Sequence, residues 1–145
     1  RAIAWCRENL SFARFEQNGL EPPLAFSDES FDLVYALSVF THLTAELQLA
    51  WRDELRRVLR PGGHLLVTTH GRSYLPRLVG DERKRFEAGE LVVRWGEVAG
   101  SNLCSAYHPE RYLHETFAEG FELVRLEPEG ARGNPTQDLV LLRRA

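Results

Sequence analysis

The sequence of 145 residues contains no methionine and only two cysteines. Cys6 and Cys104 lie too far apart to form a CxxC pair, which argues against both a disulfide framework and a zinc knuckle. Long hydrophobic runs are missing as well. The longest uncharged stretch, residues 33–45, is too short and too rich in Ser, Thr and His to span a membrane. We therefore expect a cytoplasmic globular protein without a membrane partner.

Further absences exclude several kinds of site. The charge is nearly balanced, with 18 basic against 21 acidic side chains, so no face for nucleic-acid phosphates is implied and no nucleic-acid partner is expected. None of the five histidines forms a helical i, i+4 pair, which argues against a metal site. The chain has no P-loop, and the absence of a GxSxG elbow argues against a hydrolase.

The hydrophobic pattern predicts one central unit. Residues 31–39 form the strongest strand candidate, because after Asp32 they continue without charge, as in a strand buried on both faces. Thr44 can cap a helix that runs to about residue 59 and stops at a Pro-Gly-Gly sequence. Residues 64–69 are a second buried strand. Strand, helix and strand with short connections make one right-handed βαβ unit.

Shorter elements flank this unit. Apolar spacing and turn residues predict helices over residues 1–10, 83–90 and 109–119 and strands over residues 12–15, 91–95, 121–127 and 137–143. The last two strands are joined by a segment too short for a helical crossover, so we expect them to pair antiparallel. Because the sequence opens at Arg1 in a helical pattern and lacks methionine, we expect it to be part of a larger domain.

Three segments occur in an informative order. They are residues 24–34 (LAFSDESFDLV), 38–43 (SVFTHL) and 55–67 (LRRVLRPGGHLLV). In this order and spacing they resemble the class I S-adenosylmethionine-dependent methyltransferases, in their small-molecule branch. The resemblance implies an α/β fold, the Rossmann-like methyltransferase three-layer sandwich, with a mostly parallel sheet and a C-terminal antiparallel hairpin.

The sequence departs from this family in one respect. No GxGxG sequence occurs in the 145 residues, and the family's first two strands, its glycine-rich loop and its acidic ribose-binding residue have no counterpart. We therefore expect a partial methyltransferase domain without the N-terminal strands. Its predicted parts are cofactor-side βα units at residues 1–70, a variable substrate-side segment at 71–120 and the terminal hairpin at 121–145. Such a fragment is expected to bind its cofactor weakly or not at all.

The resemblance implies a site for S-adenosyl-L-methionine at the carboxyl ends of the strands. Asn18 and Gly19 match the loop that contacts the adenine, although the same pair is also a plain turn sequence. Leu37 and Ser38 match the turn that faces the adenosyl or methionine portion. His42 belongs to the same turn, where it can bond a ligand or have only a local structural role.

The acceptor side is predicted from the next strand end. His70 ends the second buried strand, where a neutral imidazole can accept a proton, and the alternative is a polar residue at a strand end. Trp95, Asn102, Tyr107 and His108 lie in the variable segment and are candidates for lining the acceptor pocket. The alternative for Trp95 is an anchor of the core or of a lid.

Three classes of function follow. The resemblance implies methyl transfer from S-adenosylmethionine to a small-molecule substrate. A second class is a non-catalytic Rossmann-like module that binds or dimerises through its open sheet edge, because unpaired strands invite self-association. A third class, a nucleotide-dependent oxidoreductase, is opposed by the terminal hairpin and by the lack of a Tyr-x-x-x-Lys pair, since Lys84 is the only lysine.

Overall fold

The computed structural model describes residues 1–145, and its elements follow in this order. Helices are α1 (Ala2–Asn9), α2 (Ala45–Val58), α3 (Gly80–Glu87) and α4 (Glu110–Tyr112), and strands are β1 (Phe31–Ala36), β2 (Leu59–Thr69), β3 (Val92–Arg94), β4 (Ser105–Tyr107), β5 (Phe121–Ala131) and β6 (Gln137–Arg144). Short 3-10 helices cover Phe40–His42, Arg72–Arg77 and Gly96–Val98, and a π-helical turn covers Leu113–Phe117. None of the helices combines the length and apolar character that crossing a bilayer requires.

The main sheet has four strands in the order β1-β2-β6-β5. β1 and β2 are parallel and are connected through α2, so the predicted βαβ unit is confirmed. β5 and β6 pair antiparallel, as the short connection between them predicts, and β6 is also antiparallel to β2. The sheet is therefore mixed rather than mostly parallel, with one parallel and two antiparallel pairings, because the chain contributes only two parallel strands to it.

Helix α2 covers one face of this sheet. Thr44 caps the helix, since its hydroxyl accepts a hydrogen bond from the Leu47 backbone N–H at 3.4 Å. The apolar face of α2, the inward face of β2 and β6 and the π-helical turn form one core of 15 buried residues. Among them are Trp51, Leu55, Leu65, Val67, Phe117, Val140 and Leu142. The sequence pattern of α2 is thus explained by burial of this face.

The junction of α2 and β2 differs from the prediction. The helix ends at Val58, and β2 begins at once at Leu59, opposite Phe31 of β1, rather than at residue 64. Gly62 adopts a φ of +78°, which favours glycine. A side chain at Gly63 would approach the carbonyl oxygens of Arg60 and Asp32 to 2.9 and 3.1 Å, so the Gly-Gly pair permits this close pairing.

The segment between β2 and α4 forms a small additional unit, which we call the cap. It contains α3, the antiparallel pair β3–β4 and the 3-10 helix Arg72–Arg77, and it has a core of its own. That second core consists of Tyr74, Leu75, Leu78, Phe86, Val92 and Tyr107. The predicted helix and strand of this region exist, but each is shifted or shortened by a few residues.

Two predicted elements are changed. Residues 12–15 form no strand, because no neighbouring strand is available for pairing, and the Phe15 carbonyl instead accepts a hydrogen bond from Arg7 Nε at 2.6 Å. The helix predicted over residues 109–119 is shorter, since α4 has only three residues and continues into the π-helical turn that ends at Phe117.

Strand β1 is the edge of the sheet on its side away from β2. Its residues Leu33 and Tyr35 are exposed, as is Leu37 just after the strand. This edge of the sheet therefore presents unpaired backbone N–H and C=O groups together with apolar side chains, a combination that favours pairing with another strand.

Candidate cofactor and acceptor site

An apolar cavity of about 540 Å³ lies between β1, α2 and the loop at residues 18–20. Its size falls within the range of small-molecule sites in proteins. Most of its lining is hydrophobic, and the lining residues are Asn18, Gly19, Leu20, Leu24, Val34, Tyr35, Ala36, Val39, Phe40, Leu43, Trp51, Leu55, Ala99 and Gly100. The predicted adenine loop and the turn after β1 therefore meet in a single cavity.

The loop at residues 18–20 is held in place from α2. Trp51, which is buried, donates a hydrogen bond from Nε1 to the Leu20 carbonyl at 2.7 Å. Asn18 closes its own turn, since Nδ2 donates to the Gly19 carbonyl at 2.8 Å and its amide oxygen makes no bond within the chain. Asn18 can therefore close the turn with its amide nitrogen while its amide oxygen is available to a ligand.

The turn after β1 has an unusual backbone conformation at Ser38. Its φ is +56°, in the left-handed region that non-glycine residues seldom occupy. The Ser38 N–H donates to Thr68 Oγ1 at 2.7 Å, and its hydroxyl lies 3.3 Å from Thr41 Oγ1. Leu37 is exposed beside it. Neither Leu37 nor Ser38 lines the cavity, although both lie next to Val39, which does.

His42 connects this turn to the cap. Its Nδ1 lies 2.7 Å from the Cys104 carbonyl, and its own carbonyl accepts a hydrogen bond from the Gly100 N–H at 2.7 Å. Both contacts join the turn after β1 to the loop that precedes β4. The geometry therefore supports the local structural role of His42, and its contact with a ligand stays a prediction.

His70 follows β2 and is almost fully buried. Its Nδ1 lies 3.1 Å from the Ala106 carbonyl, its ring stacks on Tyr74, and its Nε2 lies 3.3 Å from Nε2 of Gln137. Burial lowers the pKa of His70 to about 4, so the ring is neutral at physiological pH. Because both ring nitrogens already have partners inside the protein, these contacts favour positioning, and the role of a base stays a prediction.

The four predicted acceptor residues do not form one cluster. Tyr107 is buried beside His70, with the ring centroids 5.6 Å apart. His108 is buried with Nε2 at 3.2 Å from Gln48 Oε1, and burial lowers its pKa to about 3. Trp95 and Asn102 are exposed on the cap. Tyr107 and His108 thus lie against the end of β2, His108 through its backbone N–H to the His70 carbonyl at 2.7 Å, and an acceptor contact of any of the four stays a prediction.

Three residues near the site were missed by the sequence analysis: Thr68, Gln137 and Trp51. Thr68 and Gln137 are buried polar residues that link the end of β2 to the start of β6, with Thr68 Oγ1 donating to Gln137 Oε1 at 2.5 Å. Trp51 had a recognisable signal, because an indole on the apolar face of a helix seeks a hydrogen-bond partner when buried. Gln137 had no such signal, since its partners are distant in sequence.

Replacing Trp51 by phenylalanine should loosen the loop at residues 18–20. The ring is largely retained, but the Leu20 carbonyl loses its donor, which costs about 1–2 kcal/mol of unfolding free energy. Urea unfolding measures the loss, and the ¹⁵N shift of the Glu21 amide, whose peptide group includes the Leu20 carbonyl, should change. The matched control is Trp5→Phe at an exposed tryptophan, which should leave both quantities unchanged. An unchanged Glu21 shift in Trp51→Phe would contradict the assigned contact.

Comparisons with known proteins bear on these features. A protein family described as "Methyltransferase domain" matches residues 1–67. The "Probable tRNA methyltransferase 9B" of Mus musculus is 30% identical over 86 residues, which cover 59% of this chain and 18% of that protein. The chain therefore spans less than a fifth of the length of this curated relative.

Solved structures share the fold at low sequence identity. An S-adenosylmethionine-dependent methyltransferase from Mesorhizobium loti has a TM-score of 0.69 at 17% identity, covering 98% of this chain and 75% of that one. A SAM-dependent methyltransferase from Methanosarcina mazei has a TM-score of 0.63 at 20% identity, covering 99% and 77%. The predicted Rossmann-like methyltransferase fold is thereby confirmed. The family match is confined to residues 1–67, over which the chain is similar to the family described as "Methyltransferase domain".

Proposed function

We propose that the chain takes part in methyl transfer from S-adenosylmethionine to a small-molecule acceptor. The observation that carries the proposal is the cavity in which Asn18 and Gly19 meet Val39 and Phe40, at the carboxyl end of β1. Open α/β sheets bind their ligands at this end of the strands. The curated relative and the solved neighbours support the reaction class, and the small-molecule acceptor is our proposal.

The residues of the cavity suit the adenosine part of the cofactor. A purine ring has apolar faces and polar edges, and the cavity offers an apolar wall together with one free amide oxygen, on Asn18. Asn18 and Gly19 would hold the ring edge, while Val39 and Phe40 would cover its face. When bound, S-adenosylmethionine supplies an electrophilic methyl group on its sulfonium sulfur.

The chain's own contribution is chiefly alignment and exclusion of water. Methyl transfer from a sulfonium needs donor and acceptor in line more than it needs a protein acid or base. Two hydrogen bonds hold the cap against the strand ends. One joins His42 Nδ1 and the Cys104 carbonyl, and in the other the His108 N–H donates to the His70 carbonyl, each at 2.7 Å. Neutral His70 and Tyr107 then form a buried wall beside the end of β2.

A titration with S-adenosylhomocysteine, the cofactor product, tests the cofactor part of this proposal. The 145 residues contain no glycine-rich loop and no acidic ribose ligand, so we expect a dissociation constant weaker than about 100 µM, measured by NMR shift changes at the cavity. Asn18→Ala should weaken binding severalfold. Its matched control, Asn9→Ala, removes an exposed asparagine on α1 and should leave the affinity unchanged.

Two outcomes would contradict this picture. Micromolar affinity of the chain for S-adenosylhomocysteine would overturn the expected weakness. Shift changes confined to surfaces outside the cavity would overturn the assignment of the cofactor site itself.

A tRNA nucleoside is the second candidate acceptor. The mouse relative, which is named as a tRNA methyltransferase, is the observation that favours it. The net charge of −3 opposes it, because tRNA binding depends on neutralising phosphates. A gel-shift titration with total tRNA at 150 mM salt distinguishes the two. Retarded tRNA at micromolar protein would favour the nucleoside, and no retardation is expected for the small-molecule acceptor.

Self-association through β1 is a different class of function. The exposed edge and the apolar side chains Leu33 and Tyr35 favour it. Sedimentation at increasing protein concentration separates the two cases. A monomer at all concentrations would remove the reason for this alternative.

A further inference from the structure

Gln137 is the first residue of β6 and is only 4% exposed. Its side-chain amide lies within hydrogen-bond distance of three polar groups: the Thr68 hydroxyl, the Ser38 hydroxyl and the His70 ring. A buried amide is costly unless its donors and acceptor are satisfied, so this cluster is a specific arrangement of partners. It also joins the terminal hairpin to the ends of both parallel strands.

The bonds around this amide close into a ring. The Ser38 N–H donates to Thr68 Oγ1 at 2.7 Å, and the Thr68 hydroxyl donates to Gln137 Oε1 at 2.5 Å. Gln137 Nε2 donates in turn to Ser38 Oγ at 2.9 Å. The ring thus begins and ends on the residue whose φ is +56°. Such a conformation persists only when its surroundings hold it, and the ring is what holds it here.

The same amide determines where His70 carries its proton. The Ala106 carbonyl at 3.1 Å can only accept, so His70 Nδ1 is the protonated nitrogen. Nε2 of His70 then offers a lone pair, and Gln137 Nε2 lies 3.3 Å away as its donor. Tyr74 and Tyr107 pack against the ring, while Arg77 and His42 are the other groups whose charge acts on it.

We propose that Gln137 is a positioning residue for the methyl-transfer site, whose amide holds the Ser38 turn and the neutral Nδ1–H form of His70 in one arrangement. The C-terminal hairpin would thereby control the geometry of the two strand ends. The inference rests on the proposed function for the identity of the ligand. The ring of hydrogen bonds rests on the geometry alone.

NMR of the ¹⁵N-labelled chain tests the proposal with Gln137→Leu. Leucine has a similar volume but neither donor nor acceptor, so the Ser38 amide signal should shift. S-adenosylhomocysteine affinity, read from the same spectra, should fall about tenfold, the effect of one lost hydrogen bond in the supporting ring. Thr136→Ala is the control, because the hydroxyl of this half-buried neighbour bonds only the Gly133 carbonyl, while the Thr136 backbone carbonyl that accepts from the Tyr74 hydroxyl is kept, so neither readout should change.

A second variant reads the ring nitrogens of His70. Gln137→Glu keeps the size of the side chain but replaces the donor to Nε2 by an acceptor. The pKa of His70 should therefore rise from its wild-type value of about 4, with a second ring proton on Nε2. This variant also decides the matter if Gln137→Leu does not fold.

The possible results test the positioning role of Gln137 and the proposed function separately. An unshifted Ser38 amide with unchanged affinity in folded Gln137→Leu, or a His70 pKa unchanged in Gln137→Glu, would overturn the positioning role. Wild-type spectra in which S-adenosylhomocysteine at millimolar concentration shifts only signals outside the cavity would overturn the proposed cofactor site. In that case the Ser38 and His70 signals would still decide whether Gln137 holds the turn.

Discussion

Replacing Phe40 by alanine is expected to lower the free energy of unfolding by about 3–5 kcal/mol. Phe40 is 1% exposed, and its ring meets Phe117 edge to face with centroids 5.0 Å apart. Truncation removes this contact and leaves a void at the centre of the 15-residue core. Because domains of this kind are stable by only about 5–15 kcal/mol, the variant should lose much of its margin.

Urea unfolding at neutral pH measures this effect against two references. Phe12→Ala changes a phenylalanine that is 81% exposed and should alter stability by less than about 0.5 kcal/mol. Phe117→Ala should cost about as much as Phe40→Ala, since Phe117 is also 1% exposed. Equal stability of the Phe40 and Phe12 variants would show that the core is placed wrongly.

Comparing Phe40→Ala with Phe117→Ala shows whether Phe40 contributes to ligand binding as well as to core packing. Phe40 lines the cavity beside Asn18 and Gly19, whereas Phe117 does not. Weaker binding of S-adenosylhomocysteine in the Phe40 variant than in the Phe117 variant, at temperatures where both are folded, is therefore the expected sign that the cavity is used. Matching affinities would assign Phe40 to the core alone.

The central βαβ unit could be predicted because its signals are local. The uncharged run after Asp32 indicated a parallel strand, and Thr44 marked the start of α2, both within a few residues of the elements concerned. The predicted burial of this strand on both faces is wrong, because β1 lies at the edge of the sheet with Leu33 and Tyr35 exposed. The strand predicted over residues 12–15 is absent because strand formation depends on residues distant in sequence. A strand exists only through its neighbour, and no propensity in those residues tells whether a neighbour is present.

Part of the candidate site was predictable from the family resemblance. Asn18 and Gly19 meet the turn after β1 in one cavity, as the resemblance implied. No strand precedes them, however, and the bond from Trp51 to the Leu20 carbonyl holds their loop. Gln137 and Ser38 are 99 residues apart, and nothing in either sequence context announces their hydrogen bond. The role of His70 as a base was predicted only from its position at the end of a strand. Its partner, the Ala106 carbonyl, could not be predicted, because Ala106 lies on a strand of the cap whose placement depends on tertiary packing.

Stability of the chain is expected to fall by about 4 kcal/mol between pH 7.5 and pH 5, because two buried histidines resist protonation. In the unfolded chain both rings take up a proton near pH 6.5. In the folded chain, burial lowers the pKa of His70 to about 4 and that of His108 to about 3. The unfolded state therefore binds more protons below pH 6.5. The stability present above that value is lost progressively toward pH 4.

Urea unfolding at half-unit pH steps gives the number of protons taken up on unfolding from the slope of stability against pH. Near pH 5.3 that number should approach two in the wild type and one in His70→Gln, which removes one of the two rings. His114→Gln is the control, since it removes an exposed histidine that pairs with Glu110 at 3.6 Å on the surface. A wild-type slope near zero between pH 7.5 and 5 would mean that both rings accept protons in the folded state. The assignment of His70 as a neutral ring held by Ala106 and Gln137 would then fail.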